Sequence, residues 1–150
     1  TGILISNKTV DIIALDGAVF DAQGKDANFI IVDKNSEVYL YGITFKGIRN
    51  RNTNYGAIVN YGDLTVVSCN FTDNRITKTS FAQNGGAAIF SDGESLDIDG
   101  CNFINNVAPL KVSTAAVTSL GYEDVSIDSC KFINNFYFSI SNQIINIIME

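Results

Sequence analysis

The sequence predicts an all-β fold, a right-handed single-stranded parallel β-helix (a solenoid) of about five to six coils. Three observations predict it. A short unit recurs at steps of 25 to 32 residues, strand candidates alternate apolar and polar residues, and no segment carries a helical period.

The clearest units are SCNFTDN (68–74), GCNFINN (100–106) and SCKFINN (129–135). Their phenylalanines, Phe71, Phe103 and Phe132, lie 32 and 29 residues apart. Going backwards, YGITFKG (41–47) and LDGAVFD (15–21) add Phe45 and Phe20 at steps of 26 and 25. Five phenylalanines thus occupy one position of successive coils.

Other columns share the step. Two residues before each Phe stand Ala18, Ile43, Cys69, Cys101 and Cys130; five before stand Leu15, Leu40, Val66, Ile98 and Ile127. Seven before stand Ile13, Val38, Leu64, Leu96 and Val125. A second strand predicts the column Ile5, Ile31, Ile58, Ile89, Val117 and Ile140. Leu96-Asp97-Ile98-Asp99 shows the period-two pattern of a half-buried strand. Equivalent residues of stacked coils lie about 4.8 Å apart. The rival leucine-rich repeat wants an LxxLxL strand and a helical return, and no such return is visible.

Composition fits this architecture. Isoleucine favours strands and asparagine favours turns, and both are abundant. The net charge of −6 argues against nucleic acid, which needs a surplus of Lys and Arg. No apolar run approaches the ~18 residues of a membrane span. The three cysteines match no zinc or redox spacing, and there is no His. They read as rungs of an interior ladder, small hydrophobes with geometry poor for disulfides. Asn74, Asn106 and Asn135, three residues after their Phe, read as a second ladder that satisfies turn backbone groups.

The pairing of GGAAI (85–89) or YGAIV (55–59) with a following CxFxxN unit resembles the GGA[I/L] and FxxN repeats of polymorphic outer-membrane proteins. It is also similar to the large adhesin-like proteins of methanogenic archaea, over about residues 10–135. The resemblance implies a cell-surface location, adhesion, and a very long chain of which these 150 residues are a fraction. TAAVT (114–118) departs from the glycine motif, and the resemblance names no ligand.

Charge is laid out unevenly. The long connections 48–55, 75–84 and 107–114 carry Arg49, Arg51, Arg75, Lys78 and Lys111, half of the ten basic residues. The short turns 33–37, 61–63, 91–94 and 120–124 are acidic. A basic loop edge is either ordinary solvated loop polarity or a surface for anionic glycans or a protein partner. The ligand candidates are Arg49, Arg51, Asn54, Arg75, Lys78 and Lys111.

Outward Asp97 and Asp99, with Asp128 one coil further, read as a solvated acidic face, a weak Ca²⁺ site, or a pectate-lyase-like catalytic centre. No Lys or Arg joins them on that face, and a convex sheet lacks the cleft of a glycosidase. Asn7-Lys-Thr9 and Asn70-Phe-Thr72 are N-glycosylation sequons, with Asn70 outward between Cys69 and Phe71.

Both ends read as cuts, so the chain is expected to be one β-helix segment, 1–150, of a longer surface protein. The expected role is a non-catalytic, cofactor-free adhesin-like module at the cell surface. Its partners would be a glycan or protein on another cell and the rest of its own chain. A stalk segment and a carbohydrate-active enzyme are the alternatives.

Overall fold

The computed structural model describes residues 2–51, 55–77, 85–108, 113–120, 124–136, 140–141 and 146–148. Every strand pairing among them is parallel, and no described residue is helical. Strands that are far apart in sequence stack in register, making a β-solenoid. Among the described residues no helix is long and apolar enough to cross a membrane.

The first wall orders Ile3–Ile5, Ile30–Val32, Ile58–Asn60, Ile89–Ser91, Val117–Ser119 and Ile140–Ser141. Two long strands, Thr9–Asp21 and Glu37–Lys46, form the next two walls in continuous pieces. In later coils each splits. One row continues as Asp63–Val67, Ser95–Asp99, Asp124–Asp128 and Asn146–Ile148. The other continues as Asn70–Thr72, Asn102–Ile104 and Lys131–Ile133.

Left-handed residues make the corners. Gly17, Gly42, Ser68, Gly100 and Ser129, three before each ladder Phe, all have positive φ. So do Gly47, Asp73, Asn105 and Asn134, two after it. A single residue in this region turns the chain sharply, and Gly, Asn and Asp reach it at least cost. At Gly42 a Cβ would also lie 2.3 Å from the Ala14 carbonyl oxygen.

The ladders run through the interior. Phe20, Phe45, Phe71, Phe103 and Phe132 stack ring on ring, with centroids 5.4, 5.2, 5.0 and 4.9 Å apart and planes within 17°. Phe45, Phe71 and Phe103 are fully buried, each contributing roughly 1.5–3 kcal/mol of transfer free energy. Cys69, Cys101 and Cys130 are free thiols. They stack as expected: the Cys69 N–H donates to Cys101 Sγ and the Cys101 N–H to Cys130 Sγ, each at 3.4 Å. Asn74, Asn106 and Asn135 send Nδ2 to the carbonyls of Phe45, Phe71 and Phe103 at 3.0, 2.9 and 2.8 Å.

Three expectations need correction. Leu15 and Ile13 are 84% and 53% exposed, and the core positions belong to Ile12 and Val10, which pair with Leu40 and Val38. Residues 14–17 stand opposite Gly42 alone, so counting back from Phe20 across this bulge misplaces both. In the first wall Ile30, not Ile31, pairs with Ile58, and Ile3, not Ile5, pairs with Ile30. The run FIIV has no alternation, so it left the inward set undetermined.

Thirdly, the first wall is not half-buried. Ile58–Asn60, Ile89–Ser91 and Val117–Ser119 are buried at every position. The connections leading into these strands turn back over their outer face. Phe90 lies under Tyr55, ring centroids 4.3 Å apart, and beside Tyr61. The Thr118 hydroxyl donates to the Gly85 carbonyl at 2.6 Å and bonds the Thr114 hydroxyl. Thr114 occupies the register position of Gly86, so TAAVT keeps the motif's place with hydroxyl bonding.

Candidate functional site

The basic edge is built by the residue four after each ladder Phe. At that position the chain has just passed Ile48 or a residue of the Asn ladder and runs briefly extended, so one side chain points in and the next out. In the pair Arg49–Asn50 the asparagine is buried and the arginine exposed; in Arg75–Ile76 the isoleucine is buried and the arginine exposed. The two strands pair in parallel with Arg49 opposite Arg75. Bridges from Arg75 to Val107 and from Val107 to Phe136 extend the column. Four side-chain positions therefore lie one above another along the axis, about 4.8 Å per step.

Buried Asn50 anchors this edge. Its Oδ1 accepts from the Ala27 N–H at 2.8 Å, and its Nδ2 donates to the carbonyls of Ala27, at 2.9 Å, and of Tyr55. Asn28 Nδ2 donates to Tyr55 and Gly56 carbonyls at 3.2 and 2.6 Å. The backbone beneath Arg49 is thus pinned on both sides by charge-neutral amides.

A groove of about 490 Å³ opens beside Arg49, lined by Gln23, Gly24, Gly47, Arg49, Arg51 and Asp73. Gly24 and Gly47 leave it shallow-walled, and the two arginines set its charge against a single exposed Asp73. The Arg51 N–H donates to Asp26 Oδ1 at 2.6 Å. Lys46 Nζ and Asp21 Oδ2 form an ion pair at 3.4 Å, while among the described residues neither Arg49 nor Arg75 has a carboxylate in ion-pair reach. Two like charges one strand apart favour an anion between them.

Of the predicted ligand residues, Arg49, Arg51 and Arg75 come together here. Asn54, Lys78 and Lys111 lie outside the described residues. Sequence reading missed Val107 and Phe136 as members of the same column, and Asp73 and Gln23 in its groove. The signal was present: each column residue follows its ladder Phe by four positions.

Asp99 stands in register with Asp128, and Asp97 with Ser126, all on the exposed side of their strands. Val67 precedes Asp99 in the column. Among the described residues no three His, Cys, Asp or Glu side chains gather as a metal site requires. Asp97, Asp99 and Asp128 therefore form a stacked pair with a lateral neighbour on an open wall.

The two sequons differ. Asn7 is exposed in a turn with φ of 52°, its Nδ2 3.4 Å from Ser6 Oγ. Asn70 lies in an outer-face ladder, donating to Thr44 Oγ1 at 3.4 Å and accepting from Asn102 Nδ2 at 2.8 Å.

Comparison with known proteins finds no match: no family model, no curated protein and no solved structure aligns with the chain.

Proposed function

We propose that this chain is a non-catalytic, adhesin-like module of a cell-surface protein, and that its basic edge binds a glycan or protein on another cell. The observation that carries the reading is the register of Arg49 on Arg75 beside an open groove, two exposed cations held one strand apart by paired backbone. The solenoid supports the same role mechanically. Its continuous parallel ladders and interlocked interior columns resist bending, so a charged edge is presented at a defined distance and orientation. Extracellular placement follows from that role.

Catalysis is the weaker reading. The stacked carboxylates Asp99 and Asp128 sit on an open wall with Val67 as column neighbour, whereas glycoside cleavage needs two acids facing each other across a bound sugar.

The test is a binding screen of the folded chain on glycan and cell-surface panels, with Arg49, Arg51, Arg75 and Lys78 replaced together by Ser. Loss of binding in the variant supports the reading. Unchanged binding removes the edge as the site, and product release from polyuronides would establish the enzyme instead. A chain that binds nothing on either panel is a spacer.

A further inference from the structure

The edge column has an order that suggests more than a generic basic patch. From the amino-terminal side it runs Arg49, Arg75, Val107, Phe136, each the register partner of the next. Arg49 and Arg75 are exposed, Val107 is half-buried, and Phe136 is 62% exposed. Two cations are therefore followed, along one straight line, by an apolar step and an open aromatic ring.

We infer that this column seats a linear anionic glycan lying along the solenoid axis, with acidic groups of successive sugars on Arg49 and Arg75 and an apolar sugar face on Phe136. The inference rests on the adhesin reading and specifies its ligand. One strand spacing, about 4.8 Å, is close to the length of one sugar residue in an extended polysaccharide. A polymer with a carboxylate or sulfate on each residue then meets one guanidinium per sugar. Guanidinium is the group suited to such oxyanions, because its planar donors pair with two oxygens at once. A flat apolar pyranose face stacks on an exposed aromatic ring, two steps beyond Arg75.

The experiment is calorimetry of the 150-residue chain with size-defined oligosaccharides at low salt, in uronate, sulfated and uncharged series. The uronate and sulfated arms identify which acidic group is taken. Affinity is expected to rise by roughly tenfold from one acidic residue to two, in keeping with one added charge-assisted contact. Arg49→Ser and Arg75→Ser should each remove that step. Phe136→Ala should weaken only chains long enough to reach from Arg49 to the ring, and Lys131→Ser, on another wall, should change nothing. Affinity independent of chain length, or equal for uncharged chains, overturns the axial seat. An Arg-dependent protein partner with no glycan binding overturns it too while leaving the adhesin reading intact, and absence of binding to any panel overturns both.

Discussion

Asn106 Nδ2 donates to the Phe71 carbonyl at 2.9 Å, reaching one coil back from a side chain with no exposed surface. The same residue accepts the Asn74 N–H on Oδ1 at 3.1 Å. It therefore serves two coils, at a corner where backbone groups have left the sheet and water cannot enter.

Asn106→Ala should be strongly destabilising, since it strands the Phe71 carbonyl and the Asn74 N–H. Each unpaired buried group costs about 1–3 kcal/mol, so a total of about 2–6 kcal/mol is expected in urea unfolding. Asn105, next to it, has φ of 56° and should tolerate Gly but not Val. An Asn106 variant as stable as the parent would remove the ladder's structural role.

Packing makes a sharper contrast. Phe103, stacked on both faces, should lose about 3–5 kcal/mol on replacement by Ala. Leu15→Ser, at an 84% exposed bulge position, should change stability by less than about 0.5 kcal/mol. Thermal melts of the two variants measure the difference. A large loss at Leu15 would mean that it belongs to the core after all.

The thiols should alkylate unequally. Cys101 is fully buried between two other thiols, whose hydrogen bonding pushes its ionisation far up. Cys130, partly exposed, has its thiol pushed down by hydrogen bonding to Cys101. Under native conditions Cys130 should react first and Cys101 last, while denatured protein without reductant should show three free thiols by mass spectrometry. A bridge between Cys69 and Cys101 would contradict the column.

Expressed in a host that modifies the sequons, the protein should carry its glycan on Asn7. The Asn7 amide is exposed in a turn, whereas the Asn70 amide is engaged between Thr44 and Asn102 in a completed sheet. Glycopeptide mapping of folded protein decides it. Full occupancy at Asn70 would show that modification precedes formation of that ladder.

Asp21 introduces a small pH dependence. The Gln23 N–H holds its carboxyl below the ordinary value of 3.8 against the opposing effect of desolvation, and the hydrogen bond and charge of Lys46 each add a smaller lowering. A depressed folded-state value means that the stabilisation is present above that ordinary value and is lost as pH falls through the lower one. The difference in melting temperature between the parent and Asp21→Asn should therefore shrink in acid. A difference that stayed constant to low pH would assign it to packing.

The repeat itself was legible because identical chemistry recurs at one position per coil. Phe, Cys and Asn stack on their own kind, and a count along the chain finds them without coordinates. The basic edge was legible as a group of charges but not as a column. Arg49 and Arg75 were named, while Val107 and Phe136 differ from them in kind and so gave no compositional signal. Insertions defeated the count elsewhere. Ile13 and Leu15 alternate as plausibly as Val10 and Ile12, and only pairing with Glu37–Lys46 selects the second set.

Sequence alone thus determined that successive coils superpose, since burying a ladder of matching side chains requires equal turns of chain. It also determined that Phe, Cys and Asn form interior columns beside the aliphatic ones. Tertiary structure decided the rest: which isoleucine of FIIV faces inward, where the first coil bulges, and how connections cover the outer face of the first wall. The reason is that a period-two pattern is blind to a shift of one residue inside an apolar run, and a connection reveals its resting place only when it finds a surface to cover. The column Arg49, Arg75, Val107 and Phe136 stands at one fixed offset from the Phe ladder, but backbone pairing is what brings side chains of such different kind into one line.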